Sequence, residues 1–168
     1  MARILSIIAP TDFQDKEYGD SKAALEKAGH TVMTASTELI AHGKFGAHVN
    51  VDFYLYDVNP NEFDAVMFIG GPGCFEYFDD PTVLKLARDF YKSGKLTTAI
   101  CAAPSILANA GILKGKKATC WEGESDTLIA KGAEYTGKDI EVDGSVITGD
   151  GPMSATKFGK TIAEKLKI

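Results

Sequence analysis

The stretch LTTAICAAPSILANAGIL, Leu96 to Leu113, decides the fold. Its first five residues are apolar or β-branched and read as a buried strand. Ala103 to Ala110 read as a helix, and Gly111 supplies the stop. Cys101 stands where the strand hands over to the helix. A thiol kept for packing alone would sit more naturally inside either element. A strand that passes straight into a helix is half of a βαβ unit, which predicts the same alternation along the rest of the chain.

The alternation is there. RILSIIA (Arg3 to Ala9) reads as a first strand. GDSKAALEKAG puts Ala24, Leu25 and Ala28 on one helical face and stops at Gly29. HTVMTAS is a second strand. DAVMFIGG is a third, apolar without alternation and therefore buried on both faces. DDPTVLKLARDFYKSG is a helix, with Asp80 as N-cap, Pro81 in the first helical position and Gly94 at the end. Its Val83, Leu86, Ala87 and Phe90 form one stripe. IEVDGSVITG reads as a hairpin turning at Asp143-Gly144. MSATKFGKTIAEKLKI closes the chain as a helix with Phe158, Ile162, Ala163 and Leu166 inward. Between Ala41 and Asn61 the rhythm breaks. VNVDFYLYDV alternates polar and apolar residues there, which predicts a small antiparallel piece. The whole predicts an α/β fold, with a mostly parallel central sheet and helices on both faces. No repeat, low-complexity tract or linker interrupts the 168 residues, so a single domain over 1–168 is expected.

Composition narrows the function. An apolar fraction of 45% and a charged fraction of 24% suit a globular protein with a real core. A net charge of −5 with no basic stripe argues against nucleic-acid binding. The apolar runs are strand-sized, too short to span a bilayer, so no membrane partner is expected. MARILSIIAP is too short for a signal-peptide core and lacks a cleavage motif. Three unevenly spaced cysteines give neither a disulfide framework nor a metal-ligand pattern, so no metal or cofactor is expected. These features together read as a reduced, cytoplasmic protein.

In open α/β sheets ligands bind at the carboxyl ends of the strands, and three features land there. The first is Cys101. A sharp strand-to-helix turn strains the backbone and pushes the side chain out above the sheet, and the helix N-terminus behind it favours a thiolate. The second is IGGPG, where Gly70 and Gly71 let backbone N–H groups approach a ligand oxygen. No Lys-Ser/Thr follows these glycines, so they are not a phosphate loop. The third is PTDFQDKEYGD, a loop carrying Asp12, Asp15, Glu17 and Asp20, most of them explained as solvated acids before a helix.

Taken together, these stretches resemble the ThiJ/PfpI superfamily over essentially the whole chain. AICAAPSILANAGILKGKKAT resembles its cysteine elbow and following helix, and VMFIGG its Gly-Gly strand end. NPNEFDAV and IEVDGSVITGDGP match further family segments. The resemblance implies a flavodoxin-like three-layer sandwich, usually a homodimer or larger, with Cys101 reactive. It places Glu17 close to the sulfur. It also exposes departures. The protease branch has His after the cysteine, where this chain has Ala102. The deglycase branch has a His at the place of Trp121, in ATCWEG, and a family arginine is replaced by Asp150. Peptide hydrolysis needs a proton donor for the amine leaving group, so a peptidase is the weakest of the family readings here.

Two functions of different class follow. One is a cysteine-dependent hydrolase or lyase of the glyoxalase-III or deglycase type acting on a small carbonyl compound. In it Cys101 adds to the carbonyl, Glu17 shuttles the proton, and backbone amides of the Gly70-Gly71 loop and Ala102 hold the oxyanion. The other is a non-enzymatic stress protein in which Cys101 senses oxidants and the dimer signals or acts as a chaperone. Cys74 and Cys120 are neighbours that packing explains, or resolving thiols if close to Cys101. The expected dimer draws on the apolar pattern around Phe53, Leu55 and Tyr56, and Cys101 is expected to titrate below an ordinary thiol.

Overall fold

The structure, a computed structural model, describes residues 1–167. In chain order its strands and α-helices are β1 (Arg3–Ile7), β2 (Thr11–Phe13), α1 (Asp15–Lys27), β3 (Thr31–Ser36), β4 (Ile40–Gly43), β5 (His48–Asn50), β6 (Phe53–Tyr54), β7 (Ala65–Phe68), α2 (Pro81–Lys92), β8 (Leu96–Ile100), α3 (Pro104–Asn109), β9 (Lys117–Ala118), α4 (Ser125–Ala130), β10 (Glu134–Tyr135), β11 (Ile140–Asp143), β12 (Val146–Gly149) and α5 (Ala155–Lys165). The last residue of the expected terminal helix, Ile168, lies outside the described residues.

The central sheet runs β11-β12-β8-β7-β1-β3-β6. Every pairing is parallel except β11 with β12. β7 is buried along its whole length, as its unbroken apolar run predicts. The chain leaves β1 through α1 for β3 on one side, and leaves β7 through α2 for β8 on the other. Right-handed crossovers in opposite directions put α1 and α2 on opposite faces. α5 joins α1, and α3 joins α2, completing three layers. The α1–α5 contact is backbone-close: a Cβ on Gly159 would lie 2.7 Å from the Ser21 carbonyl oxygen. Strand order reverses between β1 and β7, which opens a crevice at their carboxyl ends.

Three details differ from the sequence reading. The acidic stretch after β1 is not all loop. Thr11–Phe13 forms β2, and α1 starts at Asp15, because the Gln14 side chain caps it by accepting from the Lys16 and Glu17 amides at 2.8 and 3.1 Å. Glu17 is thereby on the first turn of a helix. The hairpin turns at Gly144-Ser145, since Asp143 still pairs with Val146, and Gly144 takes a φ of +61° that suits glycine. The irregular region divides. β4 and β5 form the antiparallel piece beside β2, whereas Phe53 and Tyr54 join the edge of the main sheet in parallel. Leu55 is buried in the core of its own chain, so it cannot face a partner.

Candidate active site

Cys101 leaves β8 with a φ of +66°, in the left-handed region that side chains rarely adopt. A residue held there costs about 1–3 kcal/mol and persists only where its surroundings fix it. They do. The Cys101 N–H donates to the Gly149 carbonyl at 2.9 Å, and its carbonyl accepts from the Trp121 N–H at 2.7 Å. Ala103 donates back to Ile100 at 3.1 Å, and α3 begins one residue later at Pro104.

Glu17 comes from the opposite side of the crevice and is wholly buried. Its Oε1 accepts from the Gly70 N–H at 2.9 Å. Its Oε2 is buried with no hydrogen-bond partner among the described residues placed at good geometry. The carboxyl stands beside the Cys101 thiol, close enough for each group to shift the other's titration. Gly70 is wedged between them: a Cβ there would lie 2.7 Å from the Cys101 Cβ and 2.8 Å from Glu17 Oε1. Gly71 is fixed as glycine too, by a φ of +103° and by Asp12 O and Gln14 N, each 2.6 Å from where a Cβ would stand.

Burial pushes the Glu17 carboxyl up to about 7, against hydrogen bonds from Cys101 and Gly70, and the Asp150 charge adds to the rise. Burial also pushes the Cys101 thiol up, followed by the charge of an ionised Glu17 and its hydrogen bond. The Ala102 and Gly71 amides, aimed at the sulfur, pull it down. Desolvation therefore opposes the low thiol value expected from the helix terminus, the elbow amides and a protonated Glu17. Two adjacent charges in this site repel, so the pair holds at most one negative charge through the neutral range.

The structure brings Cys101, Glu17, Gly70, Gly71 and Ala102 together. It corrects the role of Gly70, whose amide is taken by Glu17 and is not free for an oxyanion. Trp121 lines the same cavity as Cys101, half-exposed. Cys74 and Cys120 are buried, and burial holds their thiols protonated, Cys74 well above the ordinary value and Cys120 pushed up to about 12.

None of the three histidines lines the cavity. His30 accepts from the Ala2 amide through Nδ1, and His42 and His48 face each other across the β4–β5 pair. No cluster of three metal-ligating side chains occurs among the described residues. No helix among them is long and apolar enough to cross a membrane.

The cavity above Cys101 measures about 460 Å³ and brings in residues that the sequence reading missed: Gln14, Lys44, Phe45, Phe75 and Pro152. Lys44 and Phe45 sit between β4 and β5, in the segment whose rhythm had broken, and no periodicity marked them. Gln14 could have been recognised as a helix cap, although Gln is not among the favoured capping residues.

A strained cysteine elbow, a buried glutamate and a glycine loop at the crevice of a flavodoxin-like sheet define a class of α/β proteins with a thiol at the strand ends. The chain belongs to the DJ-1/PfpI family, whose family model matches residues 2–165. It is 34% identical over 161 residues to the deglycase PfpI of Pyrococcus furiosus, covering 95% of this chain and 97% of that protein. It is 33% identical over 165 residues to the glutathione-independent glyoxalase DJR-1.2 of Caenorhabditis elegans, covering 97% of this chain and 88% of that one. Among solved structures, a ThiJ/PfpI domain protein from Brachyspira murdochii superposes with a TM-score of 0.96 at 33% identity, over 98% of this chain and 96% of the other.

Proposed function

We propose that this protein is a cysteine-dependent enzyme of the glyoxalase or deglycase type, acting on small carbonyl compounds. The observation that carries it is the buried Glu17 carboxyl, one oxygen unpartnered, against the Cys101 sulfur at the floor of a cavity. The names of the relatives above, a deglycase and a glyoxalase, support it.

The single charge of the pair rests on sulfur. A thiolate there has three donors: the Gly71 and Ala102 amides and the Glu17 hydroxyl. Oε2, buried and without a partner among the described residues, is an unfavourable place for a carboxylate charge, which favours the protonated carboxyl. A Glu17 carboxylate would have only Gly70 and the weak S–H donor, in a fully buried position and with Asp150 repelling it. Partly exposed Cys101 is the cheaper place for the charge.

With a 2-oxoaldehyde, the thiolate adds to the aldehyde carbon. A C–S bond forms, and the oxygen takes the proton of Glu17. The same amides that faced the sulfur follow the charge to that oxygen. Glu17, now a carboxylate, removes the hydrogen from C1. The electron pair passes towards C2, and the proton on the C1 oxygen moves to the C2 oxygen through an enediol; return of the carbon-borne proton to C2 then gives the thioester of a 2-hydroxy acid. Water cleaves that thioester and restores the thiol. C1 is oxidised, C2 is reduced, one water is consumed, and no outside oxidant is needed.

Peptide hydrolysis fits less well, because no imidazole lines the cavity to protonate an amine. A homodimer in the cytoplasm is part of the same proposal, the latter in keeping with three free thiols. The test is product analysis with methylglyoxal. The expected result is lactate in many-fold excess over enzyme, abolished by Cys101→Ser. Stoichiometric loss of one thiol without lactate would instead favour the oxidant sensor.

A further inference from the structure

The cavity is built for more than the reacting carbons. At about 460 Å³ it falls in the range that encloses ligands much larger than a three-carbon ketoaldehyde. Three of its walls are aromatic: Phe45, Phe75 and Trp121. Lys44 is the one charged side chain lining it.

These rings are not core residues. Phe45 is 71% exposed, Trp121 47% and Phe75 46%. Large exposed rings converging on one hole form the kind of patch that marks a binding site. Their backbones are nonetheless held. The Asp15 carboxylate accepts from the Phe45 and Ala47 amides at 2.9 and 2.8 Å, which ties the β4–β5 tip to the first residue of α1. Gly43 lacks a side chain where a Cβ would collide with that carboxylate. The helix that carries Glu17 thus also fixes Phe45. Phe75 is held from behind by stacking on Phe78, with centroids 4.8 Å apart and planes at 25°.

We infer that the substrate is a 2-oxoaldehyde carrying an aryl group, its ring packed among Phe45, Phe75 and Trp121 while Cys101 takes the aldehyde carbon. This rests on the carbonyl chemistry proposed above. The reaction is the same internal redox exchange plus one water, giving an aryl 2-hydroxy acid. Aromatic pairs favour offset or edge-on contacts that a methyl group cannot make, and the apolar walls reward the added area.

Two measurements separate the aryl seat from the chemistry. Trp121 is the sole tryptophan, so its fluorescence reports the cavity directly. In Cys101→Ser, mandelate should change that fluorescence saturably and bind about tenfold or more tightly than lactate, and Phe45→Ala should erase most of that preference. In the wild type, the ratio of kcat/KM for phenylglyoxal to that for methylglyoxal should fall by about fivefold or more on Phe45→Ala. Equal binding of the two acids, or a ratio unchanged by Phe45→Ala, overturns the inference. Selective mandelate binding without turnover of either aldehyde supports the aryl seat and overturns the carbonyl chemistry instead.

Discussion

Replacing Glu17 by Gln tests where the charge of the pair resides. Gln keeps the Oε1 that accepts from Gly70 and keeps the volume, so the close packing around Gly70 survives. What changes is the donor facing the sulfur. In the proposed resting state the thiolate accepts from the Gly71 and Ala102 amides and from the Glu17 hydroxyl. A hydrogen bond to a charged group contributes about 1.5–3 kcal/mol. An amide N–H in place of the carboxyl O–H recovers about half of it, leaving a loss of about 1 kcal/mol, or about one pH unit in the thiol titration. Glu17→Ala recovers nothing and should raise the value by about one to two pH units. Thiolate ultraviolet absorbance against pH, with Cys101→Ser as the blank, reads both. In the wild type the pair should release its first proton near or below 7, and it should appear as thiolate. If either variant lowers the Cys101 value, Glu17 was an ionised neighbour repelling the sulfur, and the reasoning fails.

Limiting alkylation followed by peptide mass analysis should label Cys101 first, because it is partly exposed at the cavity whereas Cys74 and Cys120 are buried; prior labelling of either contradicts this. Stability should fall as pH rises from about 4.5 to 7, because across that window the native state keeps a Glu17 proton that the unfolded chain releases. Moving one carboxyl from 4.5 to about 7 corresponds to about 3 kcal/mol, and urea melts should show the slope in wild type and its loss in Glu17→Gln. Gly70→Ala should cost about 1–3 kcal/mol and push Cys101 and Glu17 apart, so reactivity toward alkylating agents should fall even in the fraction that folds.

The parts of the fold legible in the sequence are those governed by local chemistry. Asp80, Pro81 and Gly94 bound a helix whose buried residues are the four of its apolar stripe. β7 is a bare apolar run with both faces covered. Cys101 was legible because a strand and a helix meet there across three residues, and its left-handed φ belongs to that sharp turn. The start of α1 was hidden because Gln is a rare cap, so Glu17 read as loop. Only the resemblance singled it out from Asp12, Asp15 and Asp20. The strength of the burial that opposes the thiolate is not legible in the sequence, for a physical reason. A six-residue helix and two amides are visible locally, whereas burial and the carboxylate arriving from α1 are products of the tertiary fold. Phe45 and Asp15 escaped for the same reason, since the clasp joining them spans thirty residues of sequence.

The central claim is that the Cys101 thiolate, charged by virtue of a protonated Glu17, is the nucleophile of a carbonyl reaction. The measurement that tests it most directly is kcat/KM for a 2-oxoaldehyde across pH, on the preparation whose thiolate absorbance is titrated. The account predicts that the rising limb of the rate superimposes on the thiolate curve, that both move to higher pH together in Glu17→Gln, and that Cys101→Ser has no measurable rate. A rate that survives in Cys101→Ser, or a rising limb that stays fixed while the thiolate curve moves, would contradict it.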